Sequence, residues 1–256
     1  MQDVIAQLAR IPLSGRIHAS VDEGVSILEC AAYLAGEKHS SHPKCACSIV
    51  QVVSDYINRY YDGRYNTALA QRALQIAGSR GDDLVSYHRS LHLVNFVFRD
   101  FAPRLLRSPL FADNSPDYAA LATKLEGVPK ITAHYEFDMV QRILQHHRQV
   151  PRAKSVQERH VNQLLHIIDH MRFLMFSDVV EGTIGLFYYH RYIAAKAIPR
   201  PLGADPAEEK GTPFDALVLL DDLLAIDAGK TPPLAVTPDV AARIAYLTNY
   251  RTGALQ

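Results

Sequence analysis

The chain has 256 residues, 48% of them apolar and 21% charged, with 27 basic and 27 acidic side chains. That length can bury a core in one large domain or two small ones, and the composition is ordinary for a globular protein. Balanced charge supplies no global field to hold a polyanion, so nucleic acid is not an expected partner, although Arg99, Arg104 and Arg107 could form a local basic patch.

Three cysteines are too few, and odd in number, for a disulfide framework. The opening MQDVIAQLAR carries Asp3 and no long apolar core, unlike a signal peptide. No stretch reaches the roughly 18 apolar residues of a membrane span. The expected compartment is the reducing cytoplasm, with no membrane partner.

Helical periodicity dominates from the start. VDEGVSILECAAYLAG places Val25, Leu28, Ala32 and Ala35 on one stripe, and Gly36 suits a helix stop. Next comes GEKHSSHPKCACSIV, residues 36–50, with two histidines and two cysteines within nine positions. Pro43 suits the first helical position, where its missing N–H costs nothing. A helix is therefore expected from Pro43 to about Asp62, with Cys45, Ile49, Val52, Tyr56 and Tyr60 facing inward.

NTALAQRALQIAGSRG predicts a helix from Thr67 to Ala77. DDLVSYHRSLHLVNFVFRDFAPRLL predicts a long one whose stripe is Leu84, Tyr87, Leu91, Val94, Phe98, Phe101 and Leu105, kinked or ended early by Pro103. Between these two helices GSRGDD reads as a break. Arg80 there could meet an anion, but a cap by Asp82 or Asp83 accounts for the segment.

Residues 108–130 are rich in Pro, Asp, Asn and Gly and mark an internal boundary, with a short helix from Tyr118 to Leu125. Helical spacing returns over Thr132–Val150. It continues in SVQERHVNQLLHIIDHMRFLMF, where Ser155 and Glu158 form a capping box, and in VVEGTIGLFYYHRYIAAKAI. Residues 199–213 read as an exposed linker, and FDALVLLDDLLAI and PDVAARIAYLTNY as two terminal helices. AGKT at 228–231 lacks the upstream glycine of a phosphate loop and reads as a turn.

The expected fold is all-α, an irregular multi-helix bundle with a C-terminal helical extension. Its segments are 1–107, an N-terminal helical domain; 108–130, a connection; 131–198, a second helical domain or a continuation of the same core; and 199–256, a linker and helical tail.

Three constellations carry chemistry. His39, His42, Cys45 and Cys47 have zinc-ligand spacing. On a helix from Pro43, however, residues 45 and 47 point about 200° apart. That leaves His39, His42 and Cys45 with a fourth ligand from elsewhere, or simply loop histidines and a buried cysteine. Cys45 near a helix N-terminus beside His42 would also make an activated thiol, the nucleophile of a Cys–His pair.

The His88/His92 and His166/His170 pairs share the four-residue spacing of bundle metal sites, but neither helix supplies a Glu-x-x-His motif. Wheel counting puts His166 and His170 on the polar side and turns His160 toward the core. Zinc suits the first set and iron, as a lesser alternative, the bundle pair. Tyrosines gather at 56, 60, 61 and 65 and again at 188, 189 and 192, a composition seen at interfaces and in ordinary boundary positions alike.

CAAYLAGEKHSSHPKCACSIV and IAGSRGDD, with the long helix that follows, resemble a group of uncharacterised bacterial proteins that carry an AGEP-x-SDHPxC segment followed by a GTRG-like break. The likeness covers about residues 24–107, and Lys38 and Ser41 depart from it. It implies an all-helical domain in which SHPKC opens a helix, and it brings no activity. The expected function is a cytosolic binding or regulatory module acting on a protein partner or a second copy of itself. The alternatives are a metal-dependent or thiol enzyme centred on His39, His42 and Cys45, and a His-lined bundle oxidase using His88 and His92.

Overall fold

A computed structural model of the chain describes residues 2–60, 63, 65–107, 116–137, 139–140, 142–143 and 216–249. The fold is all-α, and the described residues contain no strand, only an isolated parallel bridge between Leu13 and Val25. Contacts gather into two compact units, residues 1–86 with 216–256, and residues 87–215. The division thus falls inside the long helix rather than after residue 107, and the terminal helices belong with the first 86 residues. The Ser155–Glu158 capping box, His160, the His166/His170 pair, the helix over 179–198, the linker 199–213, and Tyr61, Tyr188, Tyr189 and Tyr192 lie outside the described residues.

The first unit is built around α2 (Ile27–Leu34), whose Ile27, Leu28, Glu29, Cys30, Ala31, Ala32 and Leu34 are all buried. Such all-round burial marks a central helix rather than an amphipathic surface one. Ser26 caps it. The Ser26 hydroxyl accepts the Glu29 N–H at 3.3 Å, and the Glu29 carboxylate accepts the Ser26 N–H at 2.8 Å. This is a reciprocal capping box. The helix begins later than the Val25 stripe suggests because the box fixes its first turn.

At the other end Gly36 is the expected stop. It has φ +76°, its N–H bonds Tyr33 O at 3.0 Å, and the Glu37 N–H bonds Ala32 O at 2.9 Å. Those two bonds form a Schellman motif, which requires the left-handed glycine.

Around α2 pack α3 (Ser48–Tyr60), α5 (Ala73–Ala77) and α10 (Pro238–Asn249). Helix α1 (Gln2–Leu8) meets α10 and α4 (Asn66–Gln71), and α9 (Ala216–Ala225) lies on α3. The expected helix over 67–77 is broken at Arg72 between α4 and α5, and the Arg72 guanidinium reaches α9 to form a two-pronged pair with Asp221 at 2.6 Å.

Helix α10 is tied to α2 by Arg243, whose guanidinium donates to Tyr33 O at 3.3 Å and Leu34 O at 3.1 Å. A cation there complements the negative end of the helix dipole. Tyr246 of α10 hydrogen-bonds Asp22 and stacks obliquely on Tyr33, with ring centroids 5.9 Å apart. The two terminal helices occur where the sequence places them, and residues 227–231 form the expected turn, closed by the Lys230 N–H on Asp227 O at 2.8 Å.

Helix α6 (Asp83–Phe96) is capped by Asp82, whose carboxylate accepts the Val85 N–H at 2.9 Å. Its buried positions are Val85, Arg89, Ser90, Leu93, Val94 and Asn95, while Leu84 is exposed. The expected stripe is therefore displaced at its start.

Pro103 acts one turn upstream. Residues Val97–Phe101 form a π turn closed by the Ala102 N–H on Val97 O, and α7 (Ala102–Leu106) follows. A wider turn absorbs the ring and the missing donor that an α-helical ladder would not accommodate.

In the second unit α7 packs on α8 (Pro116–Glu126), the helix expected over 118–125. Arg107 pairs with Glu126, and Arg104 lies 3.4 Å from Asp100, so two of the three arginines of the suspected basic patch are in ion pairs. Asn95 clasps the peptide of Ile131 through both amide atoms at 2.8 Å. The helix expected over 132–150 opens instead on a 3-10 turn at 134–137, where the Glu136 carboxylate takes the N–H groups of Thr132 at 2.6 Å and Ala133 at 3.2 Å; residues 139–140 and 142–143 are helical, and 144–150 lie outside the described residues.

Candidate functional site

The segment from Glu37 to Cys47 is not helical. Helix α3 starts at Ser48, and Cys47 is its N-cap, its carbonyl accepting the Gln51 N–H at 2.9 Å. The expectations of a helix opened by Pro43, and of SHPKC opening it, are corrected here, and the reason is tertiary. A helix from Pro43 needs the carbonyls of residues 43 to 46 for its own N–H groups.

All four carbonyls are taken. The Gln51 side-chain amide donates to Pro43 O at 2.8 Å and to Ala46 O at 2.9 Å. The Arg80 guanidinium takes Lys44 O at 2.9 Å, and the Arg80 backbone N–H takes Cys45 O at 3.1 Å. The later helix start also exchanges the cysteines. Cys47 is buried, its N–H held by the Ser79 hydroxyl at 3.0 Å, while Cys45 is half-buried.

Beneath this loop lies a buried carboxylate. Glu29 is fully buried and accepts four hydrogen bonds or near contacts. Its partners are the His18 N–H at 2.8 Å, the His18 Nδ1 at 2.9 Å, the Ser26 N–H at 2.8 Å, and His39 Nε2 at 3.5 Å. Burial pushes the Glu29 carboxyl up, but the hydrogen bonds from His18 and Ser26 outweigh it and hold the group below its usual range. The His18 ring lies against the bare backbone of Gly24, where φ is +140° and an added Cβ would stand 2.8 Å from Nε2. Glycine is required twice over at that position, for the conformation and for the room.

His39 leans on the same carboxylate. Its Nε2 also bonds His18 O at 3.0 Å. A carbonyl only accepts, so Nε2 carries the proton. Nδ1 is then left buried with no hydrogen-bond partner.

The loop is stapled along its length. The Glu37 carboxylate accepts the Lys44 N–H at 2.8 Å, the Ser40 hydroxyl accepts the His42 N–H at 3.0 Å, and the Ser41 hydroxyl meets His42 Nδ1 at 3.0 Å. Its outer face is an open depression of about 600 Å³ lined by Glu37, Lys38, His39, Ser40, His42 and Lys44.

The candidate residues are therefore neighbours in sequence that turn to different partners. His39 turns to His18 and Glu29, His42 to Ser41, and Cys45 Sγ to Ala31 O at 3.8 Å. Among the described residues no group of three or more His, Cys, Asp or Glu side chains is arranged to hold a metal ion. The Cys45 thiol is pushed up to about 12 by burial first and then by the Glu37 carboxylate, against a smaller opposing effect of Arg80. At neutral pH the protonated thiol then dominates. Burial alone pushes Cys30 to about 12 as well. His88 and His92 are half-buried on α6, with the His88 ring 6.2 Å from that of Tyr87.

Sequence reasoning missed His18, Glu29 and Gly24. A signal existed for Glu29: Ser26 followed three residues later by a glutamate is a capping-box pattern ahead of an apolar run. No spacing rule joins His18 to it across eleven positions. No family model, curated protein or solved structure matches this chain. Among the described residues no helix is long and apolar enough to cross a membrane.

Proposed function

We propose that this chain is a cytosolic α-helical binding or regulatory module whose ligand-facing element is the loop from Glu37 to Lys44. The observation that carries the reading is the support of the loop. A buried carboxylate anchors His39 from below, Glu37 ties its two ends together, and Gln51 and Arg80 hold the carbonyls that follow. A loop fixed at so many points loses little entropy when a ligand settles on it, which is the physical basis of preorganised binding. Cys45, which follows the loop, is a neutral thiol aimed at a backbone carbonyl, an arrangement suited to holding structure rather than to nucleophilic attack.

Two measurements on the purified chain test this reading. Elemental analysis is expected to find zinc and iron well below one atom per chain. Native alkylation with iodoacetamide is expected to modify Cys45 far more slowly than free cysteine. Stoichiometric zinc or iron that disappears in Cys45→Ala, or rapid labelling of Cys45, would replace the binding module with a metal or thiol enzyme.

A further inference from the structure

The depression on the loop has an uneven charge. Lys38, Lys44, His39 and His42 line it with Ser40, and Glu37 is the only carboxylate among its lining residues. That carboxylate is turned to the backbone, where it accepts the Lys44 N–H and lies close enough to the Cys45 thiol to raise its pKa.

The obvious internal use for the two lysines would be the C-terminal carbonyls of α2, which point toward the start of the loop. Those carbonyls are already occupied. Ala31 O accepts the Ala35 N–H, Ala32 O the Glu37 N–H, Tyr33 O the Gly36 N–H, and Leu34 O the Arg243 guanidinium. Neither lysine has an ion-pair partner within 4.0 Å among the described residues. The concavity is therefore lined by two lysines, two histidines and a serine, and among the described residues no carboxylate pairs with either lysine.

We propose that this depression binds the phosphate or diphosphate group of a phosphorylated small molecule, a reading that rests on the loop being the binding element. Two lysines and a hydroxyl donor lining one concavity suit a set of phosphoryl oxygens. The space of about 600 Å³ falls in the range of small-molecule sites and exceeds what one phosphate fills, so the phosphate is attached to a larger group.

The test is a titration of the ¹⁵N-labelled full chain followed by amide shifts, with inorganic phosphate, pyrophosphate, glucose 6-phosphate and adenosine diphosphate as separate probes. Pyrophosphate and at least one of the two esters are expected to give saturable shifts centred on residues 37–44. Binding should weaken by about tenfold in Lys38→Ala and again in Lys44→Ala. It should fall as salt is raised. Lys230→Ala, at a lysine in the turn after α9 that lies 4.0 Å from Asp227, should leave binding unchanged.

Both lysines of the loop are exposed, so their variants keep the fold, and a near-ultraviolet circular dichroism spectrum checks this. Absence of a saturable shift with every probe, or equal affinity in the two loop variants, overturns the proposal. If that happens while the metal and alkylation results stand, the loop binds something other than a phosphate. If those results fail as well, the binding-module reading itself is lost.

Discussion

Glu29 shows how one side chain can organise a surface it never reaches. It closes the capping box of α2, and with the same two oxygens it fixes His18 and steadies His39. A carboxylate with no solvent exposure is tolerable only because these donors replace water. Glu29→Gln keeps the shape but sets an amide N–H against donors, and should cost about 2 kcal/mol or more at neutral pH.

The pH dependence follows from the direction of the shift. The folded carboxyl lies below its unfolded value, so its contribution is complete above roughly pH 4.3 and is lost as pH falls through the folded value. Urea unfolding at pH 7, 5 and 3.5 should therefore show the gap between parent and variant narrowing only in the most acidic series. A gap constant at all three would mean that the carboxylate charge contributes nothing. At this scale the sequence was half legible. Ser26 and Glu29 were readable as a pair, whereas the His18 ring depends on Gly24, a contact made by chain reversal and not by spacing.

Among the elements, those whose signals are local were readable and those set by distant partners were not. Gly36 ends α2, Asp82 starts α6 and Pro103 perturbs the helix before it, each through bonds within a few residues. The stretch after Pro43 obeyed Gln51 and Arg80 instead, and the faces of both cysteines followed that later start. Leu84 failed as a core position for a related reason: Val85 packs against the space over Gly81, which sets the phase of the helix start.

The end of α5 gives a test of one such distant contact. A Cβ on Gly78 would lie 2.2 Å from Pro232 O and 2.8 Å from Leu234 N, both backbone atoms, beside the bond from the Leu234 N–H to Leu74 O at 2.9 Å. Gly78 has φ −90° at the C-cap of α5, so alanine carries no left-handed penalty there and would gain about 0.4–1 kcal/mol by lowering the entropy of the unfolded chain. The clash with immovable backbone should outweigh that gain. Gly78→Ala is expected to be less stable by about 1–3 kcal/mol in thermal unfolding, and a variant as stable as the parent would show that the 232–234 segment does not sit against α5.

For the molecule as a whole, composition marked where the chain changes character but not which pieces associate. Residues 108–130 and 199–213 stand out in the sequence, yet contacts join the terminal helices to the first 86 residues. Docking partners follow from side chains such as Arg72, Asp221 and Arg243, which look like ordinary surface charges until their partners are known. The terminal helices bury Leu219, Leu220, Leu223, Val240, Ile244 and Leu247. At about 1.5–3 kcal/mol for each large apolar side chain, losing them removes on the order of 10 kcal/mol, comparable to the whole stability of a domain. In a chain ending after residue 215 the amides of α2 and α3 should accordingly lose their protection from hydrogen exchange, and the chain should bind a hydrophobic dye. Protection of those amides retained in the truncated chain would mean that residues 1–86 are self-sufficient.

The split composition of the first unit also sets a timetable for its birth. A ribosome releases residues 1–86 well before it reaches 216–249, and at typical translation speeds the wait is on the order of ten seconds. Throughout that interval the sides of α1, α2 and α3 destined for α9 and α10 are bare. The nascent protein is thus a natural client for chaperones that shield apolar helices, and its yield in a cell should respond to their supply more than that of a protein whose core is contiguous in sequence.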